Sequence, residues 1–197
     1  MAGYRALAAV GRSLVALLEQ RFQEDIPSGR RPTPVLIGTV DLDRVNTPGS
    51  LITYPSVAVY CYRLSVDSET RPKWSAVASQ DGVPRLPLRM HLLVTAFDEF
   101  VEHELEWLGL TAKALESESI LTGPLLDPDG EWEAGEAIQV VPDDMALESM
   151  SEAFQALTAD FRLYLLYQAR VVVIRGRREG DGERVATVAA GLEDAAR

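Results

Sequence analysis

Cys61 and His91 are the residues whose types could make a nucleophile and its base, because they fall on two segments patterned as neighbouring strands. Such a pair also needs a third, orienting group and donors for an oxyanion. Cys61 instead shares its strand face with Val57 and Val59, which reads as a small buried hydrophobe. His91 points away from the side carrying Leu88, Met90 and Leu92. A zinc site would need His91, His103 and a carboxylate to converge, and the chain has neither HExxH nor CxxC spacing. Asp127-Pro128-Asp129-Gly130 opens like a calcium loop, but the proline and the missing closing ligand make it a tight turn. Glu102, Glu104 and Glu106 read as a solvated helix face, and Asp143 or Asp144 as helix caps. There is no GxGxxG and no Walker-type phosphate loop. The sequence therefore offers no catalytic, cofactor-binding or metal-ligating residues.

The elements that would position any chemistry are clearer. Ala2–Phe22 carries Leu7, Val10, Leu14, Leu17 and Leu18 on one helical face and ends before Pro27. Val35–Val40 is a short apolar run, predicted as a strand. Ser56–Asp67 alternates, with Val57, Val59 and Cys61 opposite Ala58, Tyr60 and Tyr62. Asp67–Pro84 is a polar loop joining it to an antiparallel strand, Leu86–Ala96. That strand runs into a helix, Asp98–Ser117, with Asp98 as N-cap and Phe97, Val101, Leu105 and Leu108 as the apolar stripe. On that stripe, Leu105→Ala should cost about 2–5 kcal/mol. Gly123–Gly135 is loop, Ala137–Val141 a short strand, Met145–Leu157 a helix, and Phe161–Ile174 a long strand apolar on both sides, as a central strand would be. After Arg175 the composition turns Arg-, Gly- and acid-rich, predicting a mobile acidic tail with a short helical pattern at Glu183–Leu192.

The expected architecture is α/β (α+β): one domain over residues 1–175, a mixed, mostly antiparallel sheet of four to five strands flanked by helices. Residues 176–197 form a separate tail. At 197 residues, with 47% hydrophobic and 25% charged residues, the chain is long enough to bury a full core. Its net charge of −11 argues against binding duplex nucleic acid or an anionic membrane. One cysteine excludes an internal disulfide framework. The N-terminal apolar run is interrupted by Arg12 too early for a signal core or a membrane span. The chain reads as unprocessed and cytoplasmic.

The aromatic strand faces stand out. Tyr60, Tyr62 and Tyr164 lie among polar neighbours and, with Arg89, His91 and Arg170, are the candidates for contact with another protein, since aromatics and arginine are enriched in interface cores.

The runs LPLRMHLLVTAF, EHELEWLGLTAKALESESILTG and IQVVPDDMALESMSEAFQALTADFRLYLLYQARVVVI resemble the cap, or tail-terminator, proteins of extracellular contractile injection systems. These are the particles of the Photorhabdus virulence cassette and antifeeding prophage type. The resemblance covers roughly residues 4–175 in a domain of ordinary size. It implies a phage tail-terminator-like fold and a homohexameric ring that closes the distal end of the tube and engages the last sheath layer, with tube and sheath proteins as partners. It carries no catalytic residues and no cofactor. A baseplate or tube-joining part of the same particle is the nearer alternative, and a small enzyme using Cys61 and His91 the more distant one.

Overall fold

Alternating strands and one-sided helices need a sheet with a layer on it, and the computed structural model has that form. It describes residues 2–74, 83–145 and 162–176. Helix α1 (Ala6–Asp25) is followed by β1 (Thr33–Ile37), a single turn of helix α2 (Thr39–Leu42), β2 (Ser56–Val66) and β3 (Arg85–Phe97). Helix α3 (Val101–Ser117), β4 (Ile120–Thr122), β5 (Ala137–Pro142) and β6 (Tyr164–Arg175) follow among the described residues. The six strands form one sheet in the order β1-β2-β3-β6-β5-β4. Among the described residues only the β1–β2 pairing is parallel.

The sheet is thus mixed and mostly antiparallel, with β6 central between β3 and β5 as its two-sided apolarity implies. It has one strand more than expected. The addition, β4, is three residues long and pairs with β5 through Leu121 and Ile138; a run that short shows no period. The predicted strand over Val35–Val40 ends early. Gly38 turns the chain out of the sheet, its N–H held by the Asp41 carboxylate at 2.8 Å, and Val40 is exposed. The expected helix over Met145–Leu157 and the tail pattern at Glu183–Leu192 fall outside the described residues.

Helices α1 and α3 cover one face of the sheet. Leu14, Leu17, Leu18 and Phe22 of α1 meet Val57, Val59, Met90, Leu92, Val94 and Tyr167. The buried stripe of α3 is Trp107, Leu108, Thr111, Ala114 and Leu115, which shares Leu108 with the predicted one and otherwise differs. Val101 and Leu105 are 58% and 55% exposed, and Phe97 belongs to β3. On the opposite face, Ile37, Ala58, Tyr60, Leu93 and Phe97 pack with Ile52 and with half-buried Leu42, Val45 and Tyr54, from the α2 turn and the segment leading into β2.

Two β-bulges shift the strand phases. In β2 the register with β3 slips between Cys61 and Arg63, so Ser65 pairs with Arg89 and Leu64 with Met90. The residues of β2 beyond the slip therefore face opposite to what unbroken alternation gives. In β6 the pairing with β3 jumps between Ala169 and Val172. Val172, not Val171, continues the buried row of Tyr167 and Ala169.

Loop Asp127–Gly130 is a tight turn, as its composition requires. The Asp127 side chain accepts from the Asp129 N–H at 3.0 Å, closing one turn of 3-10 helix. Arg12 grips Asp127 through two nitrogens at 2.8 and 3.0 Å, and Ser13 Oγ accepts from the Asp127 N–H at 2.7 Å. Gly130 is required there because a Cβ would sit 2.3 Å from the Trp132 indole.

Candidate interaction surface

The sheet gathers Tyr60, Tyr62, Arg89, His91 and Tyr164 on the face opposite α1 and α3, as period-two spacing and the register dictate. Arg170 lies in the β6 bulge, its Nε donating to Gln139 Oε1 at 3.3 Å. Several of these side chains are engaged within the chain. Tyr60 is buried and its hydroxyl meets Thr39 Oγ1 at 2.9 Å. Arg89 pairs with buried Asp67 and, at 3.3 Å, with exposed Glu69. Burial pushes the Asp67 carboxyl up, but hydrogen bonds from Thr70 and Arg89 outweigh it and hold it below the usual range.

His91 is held from both sides. Its Nε2 meets Ser65 Oγ at 2.8 Å and its Nδ1 meets Asp143 at 3.0 Å, while Gln168 Nε2 donates to the other Asp143 oxygen at 2.6 Å. Ser65 reaches His91 only because of the β2 bulge, which alternation in sequence does not reveal. The order hydroxyl, imidazole, carboxylate is that of a hydrolase triad. Here it joins β2, β3 and β6 to the residue following β5. Ser65 is the penultimate residue of β2, and the bonds run from strand to strand, so the geometry supports a cross-strand tie. Tyr62 is tilted against His91 at 6.0 Å, and its buried hydroxyl has no hydrogen-bond partner among the described residues. Burial, and then the Asp143 charge, push that phenol up to about 12, so it stays a neutral donor.

The sheet itself separates Cys61 from His91. Cys61 pairs with Leu92 and shares its face, whereas His91 lies on the other. Burial pushes the thiol up, against a weak bond to the Arg63 carbonyl at 3.6 Å. A thiol with so little thiolate reacts slowly. Alkylation of native Cys61 at neutral pH is expected to lag far behind the unfolded chain; equal rates in a thiol-release assay would show the site is open.

His103 is remote from His91. It stands over Asp98, 3.3 Å from the carboxylate, with Arg30 at the same distance. Asp98 is not the N-cap of α3. Phe100 holds that position without a side-chain bond, and Asp98 turns inward to a side-chain exposure of 0%. It accepts from Trp107 Nε1 at 2.9 Å, the Glu99 N–H at 2.7 Å and Arg30 at 3.0 Å. No group of three or more His, Cys, Asp or Glu able to hold a metal occurs among the described residues.

No curated protein matches the chain. The fold superposes on a chain described as the sheath/tube terminator of an extracellular contractile injection system, PVC, in its extended state, with a TM-score of 0.57 and 19% identity. That match covers 96% of this chain but 64% of the other, so this chain spans less than two thirds of that relative. A looser likeness, with a TM-score of 0.45 and 16% identity over 70% of this chain and 50% of that one, is to the tube-terminating cap of the anti-feeding prophage. The fold is therefore of the tail-terminator type. The Pvc16 N-terminal domain model matches residues 9–187, nearly the whole length, and the chain belongs to that family.

Proposed function

We propose that this protein is the cap of a contractile injection system, closing the distal end of tube and sheath and ending their growth. The observation that carries this is the family match over residues 9–187, joined to a fold that superposes along 96% of the chain on a sheath/tube terminator. The role rests on shape and not on turnover. A helical stack grows through head-to-tail contacts, and a closed ring with one complementary face leaves no new end.

In this reading residues 1–175 form the terminator-like domain and residues 176–197 an acidic appendage. Six copies close a ring in the cytoplasm, resting on the last tube layer and engaging the last sheath layer. Tyr62, Arg89, His91, Tyr164 and Arg170, with Tyr60 beneath, border the face available for those contacts. The net charge of −11 must then lie away from the subunit junctions or face basic surfaces, because like charges would oppose closure.

Deleting the protein is expected to yield particles of scattered, abnormal length or with detached sheath, measured by electron microscopy. A label on the protein should mark one tip, opposite the baseplate. Normal lengths in the deletion strain would overturn the reading, as would a signal at the baseplate or along the shaft.

A further inference from the structure

The two strands at one margin of the sheet differ in length. β1 pairs with β2 only from Ser56 to Tyr60, its last register being Ile37 opposite Tyr60. β2 continues to Val66 with β3 on one side and, among the described residues, no strand on the other. Among the described residues, Cys61–Val66, six in number, therefore present an open backbone edge about 20 Å long. The lane beside it is vacated at Gly38, where the chain leaves the sheet into α2.

Natural sheets usually blunt such an edge. This one carries Leu64 and Val66, 50% and 49% exposed, on the helix-covered face. A groove of about 580 Å³ lies at its root, lined by Leu7 and Gly11 of α1, Leu36 of β1, and Cys61, Leu64 and Met90. The other face of the edge presents Arg63 and Ser65. Arg63 is exposed and makes no ion pair among the described residues, in a chain whose net charge is −11. An unpaired cation on a sheet edge of so acidic a protein is a complementary position for a carboxylate.

We infer that this edge takes an extended segment of another polypeptide by strand addition. The segment fills the lane that β1 leaves open. It sets apolar side chains at alternate positions beside Leu64 and Val66, and an acidic side chain at an intermediate position beside Arg63. Backbone bonds to β2 supply affinity, and the alternation and the carboxylate supply selection. The inference stands on the geometry of β1 and β2, whether or not the chain is a cap.

The test uses the full-length protein and a fluorescent six-residue peptide, Val-Glu-Val-Thr-Val-Thr, with a second peptide carrying lysine for glutamate. The glutamate peptide is expected to bind and to slow hydrogen exchange at those amides of residues 61–66 that point away from β3. Arg63→Glu should weaken it at least tenfold and restore binding of the lysine peptide, while exchange in β3 and β6 stays unchanged, confirming the fold. Equal binding to Arg63→Glu, protection elsewhere, or absence of binding by the glutamate peptide would overturn the inference. So would slow exchange, without peptide, at those amides of residues 61–66 that point away from β3. If that were independent of concentration the chain's own residues would cover the edge, and if it grew with concentration a second copy would.

Discussion

Asp98→Ala is expected to lower folding stability by about 3–5 kcal/mol, the range for breaking a buried, hydrogen-bonded charge network from one side. The carboxylate is sealed from solvent and ties the start of α3 to its own second turn, through Trp107 Nε1, and to Arg30 before β1. Alanine would leave the indole N–H and the Glu99 N–H facing a cavity and the Arg30 guanidinium without its counter-ion. Urea denaturation measures the loss, and a change under 1 kcal/mol would show that water replaces the carboxylate. Acid gives an independent reading. Burial alone would raise the Asp98 carboxyl, but the bonds from Trp107, Glu99 and His103 and the Arg30 charge outweigh it and hold it at about 2. An unfolded aspartate titrates near 3.9. A group whose folded pKa is depressed contributes its stability in full above the unfolded value and loses it as pH falls through the folded one. The contribution of Asp98 should therefore fade from about pH 4 toward pH 2, and Asp98→Asn should flatten that part of the profile.

Phe22→Ala is expected to cost about 3–5 kcal/mol, since it removes a fully buried ring from the packing of α1 on the sheet. Leu105→Ala should stay within about 0.5 kcal/mol, because Leu105 projects into solvent. The pair is a direct test of how α3 is rotated. Sequence periodicity favoured Leu105 because Phe97, Val101, Leu105 and Leu108 make a good stripe on paper. The helix instead turns inward the face carrying Thr111 and Ala114, and Thr111 satisfies its own hydroxyl on the Trp107 carbonyl at 2.7 Å. Comparable losses from the two substitutions in thermal melts would mean that Leu105 is covered.

The long elements were legible because each has one dominant period. The heptad-like run of α1, the alternation of β2 and β3 and the two-sided apolarity of β6 all led to the observed elements. Bulges were not legible. A slip of one residue at Cys61/Arg63 or Ala169/Val172 leaves composition unchanged yet reverses which side chains share a face. The approach of Ser65 to His91 depends on such a slip, and so does the place of Val172 in the core. Asp98 misled for a different reason. Its position before a helix is where a cap belongs, and only the tertiary contact with Trp107 and Arg30 draws it inside. The resemblance to terminators rested on whole runs of residues, and it gave the family where no single motif could.

The place of β6 has a consequence for synthesis. β1, β2 and β3 form one half of the sheet and β4 and β5 the other, and among the described strands only β6 joins them. A nascent chain lacking residues 164–175 therefore carries two unpaired margins, along β3 and along β5, each a template for unwanted pairing. Closure waits until the ribosome has released that strand, so a subunit becomes competent for assembly only after β6 has emerged.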